Sequence, residues 1–236
     1  MDIAANLEAL RGRILRSCER VGRDPAGVEI LAVTKGHGPE VVREVLDVGL
    51  LDVGENRIQE ARAKVSRAPS AARWHMIGHL QTNKARDAAR LFRMVHSVDS
   101  LRLAQELDRC ADRLARRLPV LLEVNVAGEA SKFGYRPAAL LDDLEALAGL
   151  PRIEVHGLMT MAPWTPEPES TRPVFRRLRE LREECEQRLG VPLPHLSMGM
   201  SGDFEVAVEE GATWLRLGTA LLGERRGPWR PNGVAD

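Results

Sequence analysis

Lys35 closes the run Glu29-Ile30-Leu31-Ala32-Val33-Thr34-Lys35-Gly36, in which apolar and small side chains lead straight to a primary amine. Such a run reads as a strand buried on both faces. An ammonium at the end of such a strand is hard to solvate, so its pKa falls or the amine is covalently engaged. A readily deprotonated lysine is what a Schiff base with a carbonyl compound requires. The choice of lysines is narrow: apart from Lys35, Lys64, Lys84 and Lys132, all of the 34 basic side chains are arginine. Lys64 follows Glu60 by four positions, which reads as an exposed ion pair on a helix.

A second group of residues suits an anion. Met198-Gly199-Met200-Ser201-Gly202-Asp203 leads into a short helical segment. There Gly202 lets the backbone come close, Ser201 can cap the helix and donate to an anion, and unpaired N–H groups point outward. Gly218-Thr219 offers another small-plus-hydroxyl pair, and Arg216, two residues earlier, shares a strand face with Gly218.

The elements that must position these groups alternate along the chain. Apolar runs place strands at 29–35, 50–54, 74–78, 94–98, 120–126, 153–159, 195–199 and 214–218. Helical periodicity fills the gaps, with an amphipathic helix over 3–21 before the first strand. Eight strands alternating with helices predict a parallel (β/α)8 TIM barrel of the α/β class, with an added N-terminal helix. No GxGxxG turn follows the first strand, which disfavours a doubly wound open sheet. In a barrel the site lies at the C-terminal ends of the strands, which gather Lys35, Asn56, His79, Ser97, Asn125, Met159, Ser197, Met200, Ser201, Gly202, Arg216, Gly218 and Thr219 into one ring. The loops after strands seven and eight are the usual phosphate position.

The chain of 236 residues fits one barrel domain spanning 1–236, with 223–236 expected to fray. Lys+Arg and Asp+Glu both number 34, so no electrostatic grip on nucleic acid or a membrane surface is expected. Cys18, Cys110 and Cys185 lie far apart without metal-ligand spacing, which reads as reduced thiols on helices of a cytoplasmic protein. No metal site is expected. No apolar segment is long enough to span a bilayer and no export signal is read at the N-terminus.

An aldehyde with a phosphate arm would engage both the amine and the cradle, and pyridoxal 5′-phosphate is such a molecule. Arg216 could then face the pyridine nitrogen, keeping it unprotonated because a guanidinium accepts no proton, or it could clamp the phosphate. The chain resembles the pyridoxal phosphate homeostasis proteins, barrels similar to the N-terminal domain of alanine racemase. The resemblance covers about residues 3–223. It is carried by Ala32-Val33-Thr34-Lys35, Gly54-Glu55-Asn56, Trp74 through Lys84, His156-Gly157-Leu158-Met159, Leu196 through Glu205, and Arg216-Leu217-Gly218-Thr219. It implies a Schiff base on Lys35, phosphate contacts from Ser201, Gly202, Gly218 and Thr219, Arg216 at the pyridine nitrogen, and Asn56 and Met159 along the ring. Lys132 matches the family's accessory lysine. Two departures stand out: Gly36-His37-Gly38 replaces a segment that usually brings a second lysine, and Arg57 replaces an aromatic residue.

The resemblance implies a carrier that buffers the cofactor and delivers it to pyridoxal-phosphate-dependent apo-enzymes; no nucleic-acid or membrane partner is expected, and the barrel is expected to act as a monomer. No catalytic residue is assigned. Two other functions keep the same lysine. An amino-acid racemase would need a base on each ring face, and Tyr135 is the only tyrosine, read as packing on the rim. A Schiff-base enzyme acting on a sugar phosphate would want a carboxylate pair at the strand ends, where only Glu55 is evident.

Overall fold

The computed structural model describes residues 2–129 and 132–224; the expected frayed tail lies, from residue 225 on, outside the described residues. Eight strands close into a parallel barrel in sequence order: β1 (Glu29–Val33), β2 (Asp52–Glu55), β3 (Arg73–Met76), β4 (Met94–Val98), β5 (Leu118–Glu123), β6 (Ile153–Met159), β7 (His195–Ser197) and β8 (Trp214–Leu217). The ring is sealed by β1 pairing with β8, Leu31 beside Arg216. Around it run α1 (Ile3–Arg20), α2 (Pro39–Asp47), α3 (Ile58–Val65), α4 (Ala85–Leu91), α5 (Leu101–Arg113), α6 (Pro137–Ala148), α7 (Arg172–Leu189), α8 (Phe204–Glu209) and α9 (Thr219–Leu222).

Strand parity sorts the side chains. Ile30, Ala32, Val53, Val95, Val120, Leu122, Leu158, Leu196, Leu215 and Leu217 face outward and join the helices in one large core. Alternate residues turn inward, where Leu31, Val33, Ile77 and Trp214 form one small apolar cluster and Met94, Leu121 and Met159 another. The rest of the interior is polar, with His75, His96, Ser197 and Arg216 all buried. The helix over 3–21 is present as α1, begun by Asp2, whose carboxylate accepts from the Ala5 N–H at 2.9 Å. It packs against α8, where Arg13 pairs with Glu205 and stacks over Phe204.

Several strands end before their apolar runs do. β1 ends at Val33 rather than Lys35, because the Thr34 carbonyl leaves the sheet to accept from Lys64 Nζ at 2.8 Å and from the His37 N–H. β5 ends at Glu123 rather than Val126, since Asn125 N–H donates to Tyr135 in the following loop. Gly78 is required where β3 leaves the barrel: a Cβ there would stand 2.4 Å from the Asn56 carbonyl oxygen. Cys18, Cys110 and Cys185 are buried and unbridged. Among the described residues no helix is long and apolar enough to cross a membrane, and no group of side chains has the makings of a metal site.

Candidate functional site

At the C-terminal ends of the strands a cavity of about 350 Å³ opens between the loops after β1, β2, β6, β7 and β8. Lys35, Asn56, Met200, Ser201, Gly202, Arg216, Gly218 and Thr219 all line it. Lys35 keeps the inward parity of Leu31 and Val33, which is why the turn delivers its side chain to the opening. Five expected site residues do not line the cavity: Ser97 donates to the Gly78 carbonyl at 2.6 Å and Asn125 to the Glu129 carbonyl at 2.7 Å, and three others lie apart from it. Met159 lies deeper, packed with Met94, Leu121 and Met161. Ser197 is buried behind Arg216. His79 sits on the rim, stacked on Phe133 with ring centroids 3.6 Å apart and its Nδ1 3.2 Å from Asp99.

The turn carrying Lys35 is tied down from beneath by groups that sequence spacing misassigns. Lys64 is not an exposed partner of Glu60; it is fully buried, 2.6 Å from Glu55 and 3.7 Å from Glu60. Its ammonium also donates to the Thr34 carbonyl, while the Thr34 hydroxyl donates to Glu55 at 2.6 Å and the Gly36 N–H to Glu60 at 2.9 Å. Burial pushes the Glu55 carboxyl up, and the Lys64 ammonium opposes this. Three charged groups thus grip the residues on both sides of Lys35.

Across the cavity Arg216 donates to Ser197 Oγ at 2.9 Å and to the Thr160 carbonyl at 2.8 Å. Burial lowers its guanidinium to about 10, against the attraction of Asp203 and Glu123, so it remains charged at neutral pH. Glu123 is raised to about 7 by burial and by Asp99, with Arg216 pulling the other way.

The two hydroxyl-bearing loops are joined to each other. Ser201 was expected to cap the helix that follows it; instead its Oγ accepts from the Ala220 N–H at 3.1 Å, in α9. Asp203 holds the first loop by accepting from the Met200 N–H at 2.6 Å. The Ser201 hydroxyl proton is thereby left to donate elsewhere. Two observations fit a guest with a phosphate and a polar ring: nothing stands within 4 Å of a Cβ built on Gly202, which leaves room for the phosphate, and the cavity-lining Asn56 has a buried Oδ1, with no hydrogen-bond partner among the described residues, that can accept from a ring hydroxyl.

Sequence reading did not single out Met161, Trp164, Thr165 and Asp203 as lining. The first three lie in a proline-rich loop whose path no periodicity reports. Trp164 is 89% exposed there. His37 does line the cavity, whereas Tyr135 is buried against the end of β5 and is absent from the lining. Lys132 reaches Glu129 at 3.0 Å and the carbonyl of Met161 at 3.4 Å, beside the mouth.

The fold and this cavity define the class of barrels built like the N-terminal domain of alanine racemase: the family described as alanine racemase, N-terminal domain, matches residues 5–226. Within that class the relatives are specific. A pyridoxal phosphate homeostasis protein of Aquifex aeolicus is 44% identical over 96% of this chain and 100% of its own length, and one of Pseudomonas aeruginosa is 45% identical over 94% and 96%. The structure of PipY from Synechococcus elongatus PCC7942 with PLP bound is 39% identical, with a TM-score of 0.83 over 94% of this chain and 100% of that one. The chain belongs to the pyridoxal phosphate homeostasis protein family. An alanine racemase of Clostridium difficile 630, 16% identical with a TM-score of 0.73 over 96% of this chain and 57% of that one, shares the fold.

Proposed function

We propose that this protein binds pyridoxal 5′-phosphate, held by Lys35 as a Schiff base, and serves intracellular homeostasis of that cofactor by buffering and delivering it. What supports this most directly is that Lys35, Arg216 and the Ser201 and Thr219 loops all line one cavity, in a chain nearly half identical to homeostasis proteins along its length. The cavity volume is within the range usual for small-ligand sites.

Ser201, Gly202, Gly218 and Thr219 would hold the phosphate, and Asn56 would meet the ring. When bound, the cofactor supplies an aldehyde and an electron-accepting ring. Arg216 can only donate, so against the ring nitrogen it excludes a proton there and keeps the electron demand of the ring low. That arrangement suits holding the cofactor more than carbanion chemistry. Tyr135, the candidate second base of a racemase, lies outside the lining. The three unbridged cysteines suit the cytoplasm. The recipients would be apo-enzymes that use the cofactor.

Titrating the protein with pyridoxal 5′-phosphate tests this by absorbance. A protein-bound band is expected in the native protein and not in Lys35→Ala, with no interconversion of D- and L-alanine. Interconversion at about 1 per second or faster would replace the carrier with a racemase. Absence of any bound band would favour the sugar-phosphate enzyme.

A further inference from the structure

Behind Arg216, on the side away from the cavity, a line of polar side chains crosses the barrel interior from β8 to β2. Ser197 Oγ, which accepts from Arg216, lies 3.0 Å from His96 Nδ1. His96 Nε2 lies 3.0 Å from His75 Nδ1, and His75 Nε2 lies 2.8 Å from Asp52 Oδ1. The other oxygen of Asp52 is bound by Arg73. Ser197 and His96 are fully buried, and His75 and Asp52 are 1% and 5% exposed. Filling this space needs no polar atoms: apolar neighbours already pack there, Trp214 lying 5.2 Å from the His75 ring centroid. Two imidazoles and a carboxylate cost desolvation unless every one of their hydrogen bonds is made.

The two ends dictate the direction of every bond. A carboxylate only accepts, so His75 Nε2 carries a proton and donates to Asp52. In a neutral ring the other nitrogen is then an acceptor, so His96 Nε2 donates to His75 Nδ1. His96 Nδ1 accepts in turn, and the Ser197 hydroxyl must donate to it. Ser197 is left with a lone pair for the Arg216 guanidinium, which can only donate. Four bonds follow one polarity from Arg216 to Asp52, with both nitrogens of each imidazole used. Burial lowers both imidazoles, His96 well below the ordinary range with His75, Arg216 and His195 adding to the effect, while Asp52 partly opposes burial at His75. Neutral rings are the state this polarity requires.

We propose that Asp52, His75, His96 and Ser197 are positioning residues for Arg216: a hydrogen-bond relay of single polarity that fixes the orientation of the guanidinium and thereby sets the protonation of a heteroaromatic nitrogen placed against it. The proposal rests on the cavity being a pyridoxal 5′-phosphate site, but the relay itself is present without the cofactor. Asp52 anchors it, and Arg73 anchors Asp52 from the far end of the barrel. No proton moves along it at rest; its role is to leave Arg216 one acceptable orientation.

Two measurements test it. In protein labelled with 15N histidine and free of cofactor, both His75 and His96 are expected to be neutral with the proton on Nε2 near neutral pH. An Nδ1–H tautomer or an imidazolium at either position overturns the relay, whatever the protein binds. In protein loaded with 15N-pyridoxal 5′-phosphate, His96→Leu cuts the chain, while His96→Gln can still accept from Ser197 and donate to His75. The leucine variant is expected to shift the ring-nitrogen resonance and to release cofactor about tenfold faster, as for loss of a hydrogen bond that supports a charged group. The glutamine variant is expected to restore the native resonance. A folded His96→Leu protein with the native resonance and release rate overturns the proposal. If circular dichroism shows that His96→Leu does not fold, Ser197→Ala is read by the same criteria. Lack of any bound cofactor in the native protein would instead sink the cavity reading, leaving the tautomers to decide the relay.

Discussion

The ammonium of Lys64 stands 2.8 Å from the carbonyl oxygen of Thr34, the residue before Lys35. One buried lysine thus holds the backbone from which another is presented. Beneath the turn Lys64 also meets Glu55 at 2.6 Å, so the clamp is a charge pair with no exposure to water. Its contribution lies less in net stability than in what happens when half of it is removed.

Lys64→Met should therefore be severe. It leaves the Glu55 carboxylate buried without its cation and releases the Thr34 carbonyl. A loss of about 3–5 kcal/mol is expected in denaturant unfolding. Adding Glu55→Gln should recover a large part of it, because the uncompensated charge goes with the carboxylate. Cofactor capture at Lys35 should slow in both proteins, since neither restores the hold on Thr34. A single variant with native stability and native capture would show that the clamp does nothing.

Gly202 separates binding from folding. A Cβ there meets no atom within 4 Å, so Gly202→Ala should unfold at the native denaturant concentration. The added methyl occupies the cradle, and pyridoxal 5′-phosphate should bind about tenfold more weakly by absorbance titration, a change of about 1.4 kcal/mol. Ser201→Ala should also weaken retention, and it loosens the link to Ala220 besides. Native affinity in both variants would move the phosphate elsewhere in the cavity.

Glu123 makes stability depend on pH in an unusual direction. Its folded carboxyl is raised to about 7 from an ordinary 4.5, by burial first and by Asp99 second. The folded state therefore holds this proton more tightly than the unfolded chain. The stabilisation is full below the ordinary value and is lost as pH rises through the folded one. Glu123→Gln should match the native protein near pH 4 and exceed it by up to about 3 kcal/mol near pH 8, measured by urea unfolding across the range. Parallel curves for the two proteins would place the titration on another group.

Much of the barrel is legible in the chain because strand and helix signals are local. β4 and β6 match their apolar runs residue for residue, and the parity that carries Lys35 and Arg216 to the inside follows from those runs. The phosphate loops are legible for the same reason: small and hydroxyl-bearing residues stand directly after β7 and β8. What is not legible depends on register between distant strands. Lys64 shows its neighbour Glu60 at helical spacing, but its nearer partner Glu55 comes from the end of β2. His75 and His96 each look like an isolated polar residue in a strand; only the packing of β3 against β4 sets their nitrogens 3.0 Å apart. Ser201 offers the signature of a helix cap, yet the partner it takes is in α9, the helix after the next strand. Trp164 sits in a loop with no repeating pattern to betray its place at the mouth of the cavity.

Reduction of the protein–cofactor complex with borohydride, followed by mass mapping of the peptides, tests the central claim most directly. A pyridoxyl phosphate group is expected on the peptide containing Lys35, and on no other, with the label lost in Lys35→Ala. Label on Lys132 instead, or no label on a protein that binds the cofactor, would contradict the assignment of Lys35 as the residue that holds it.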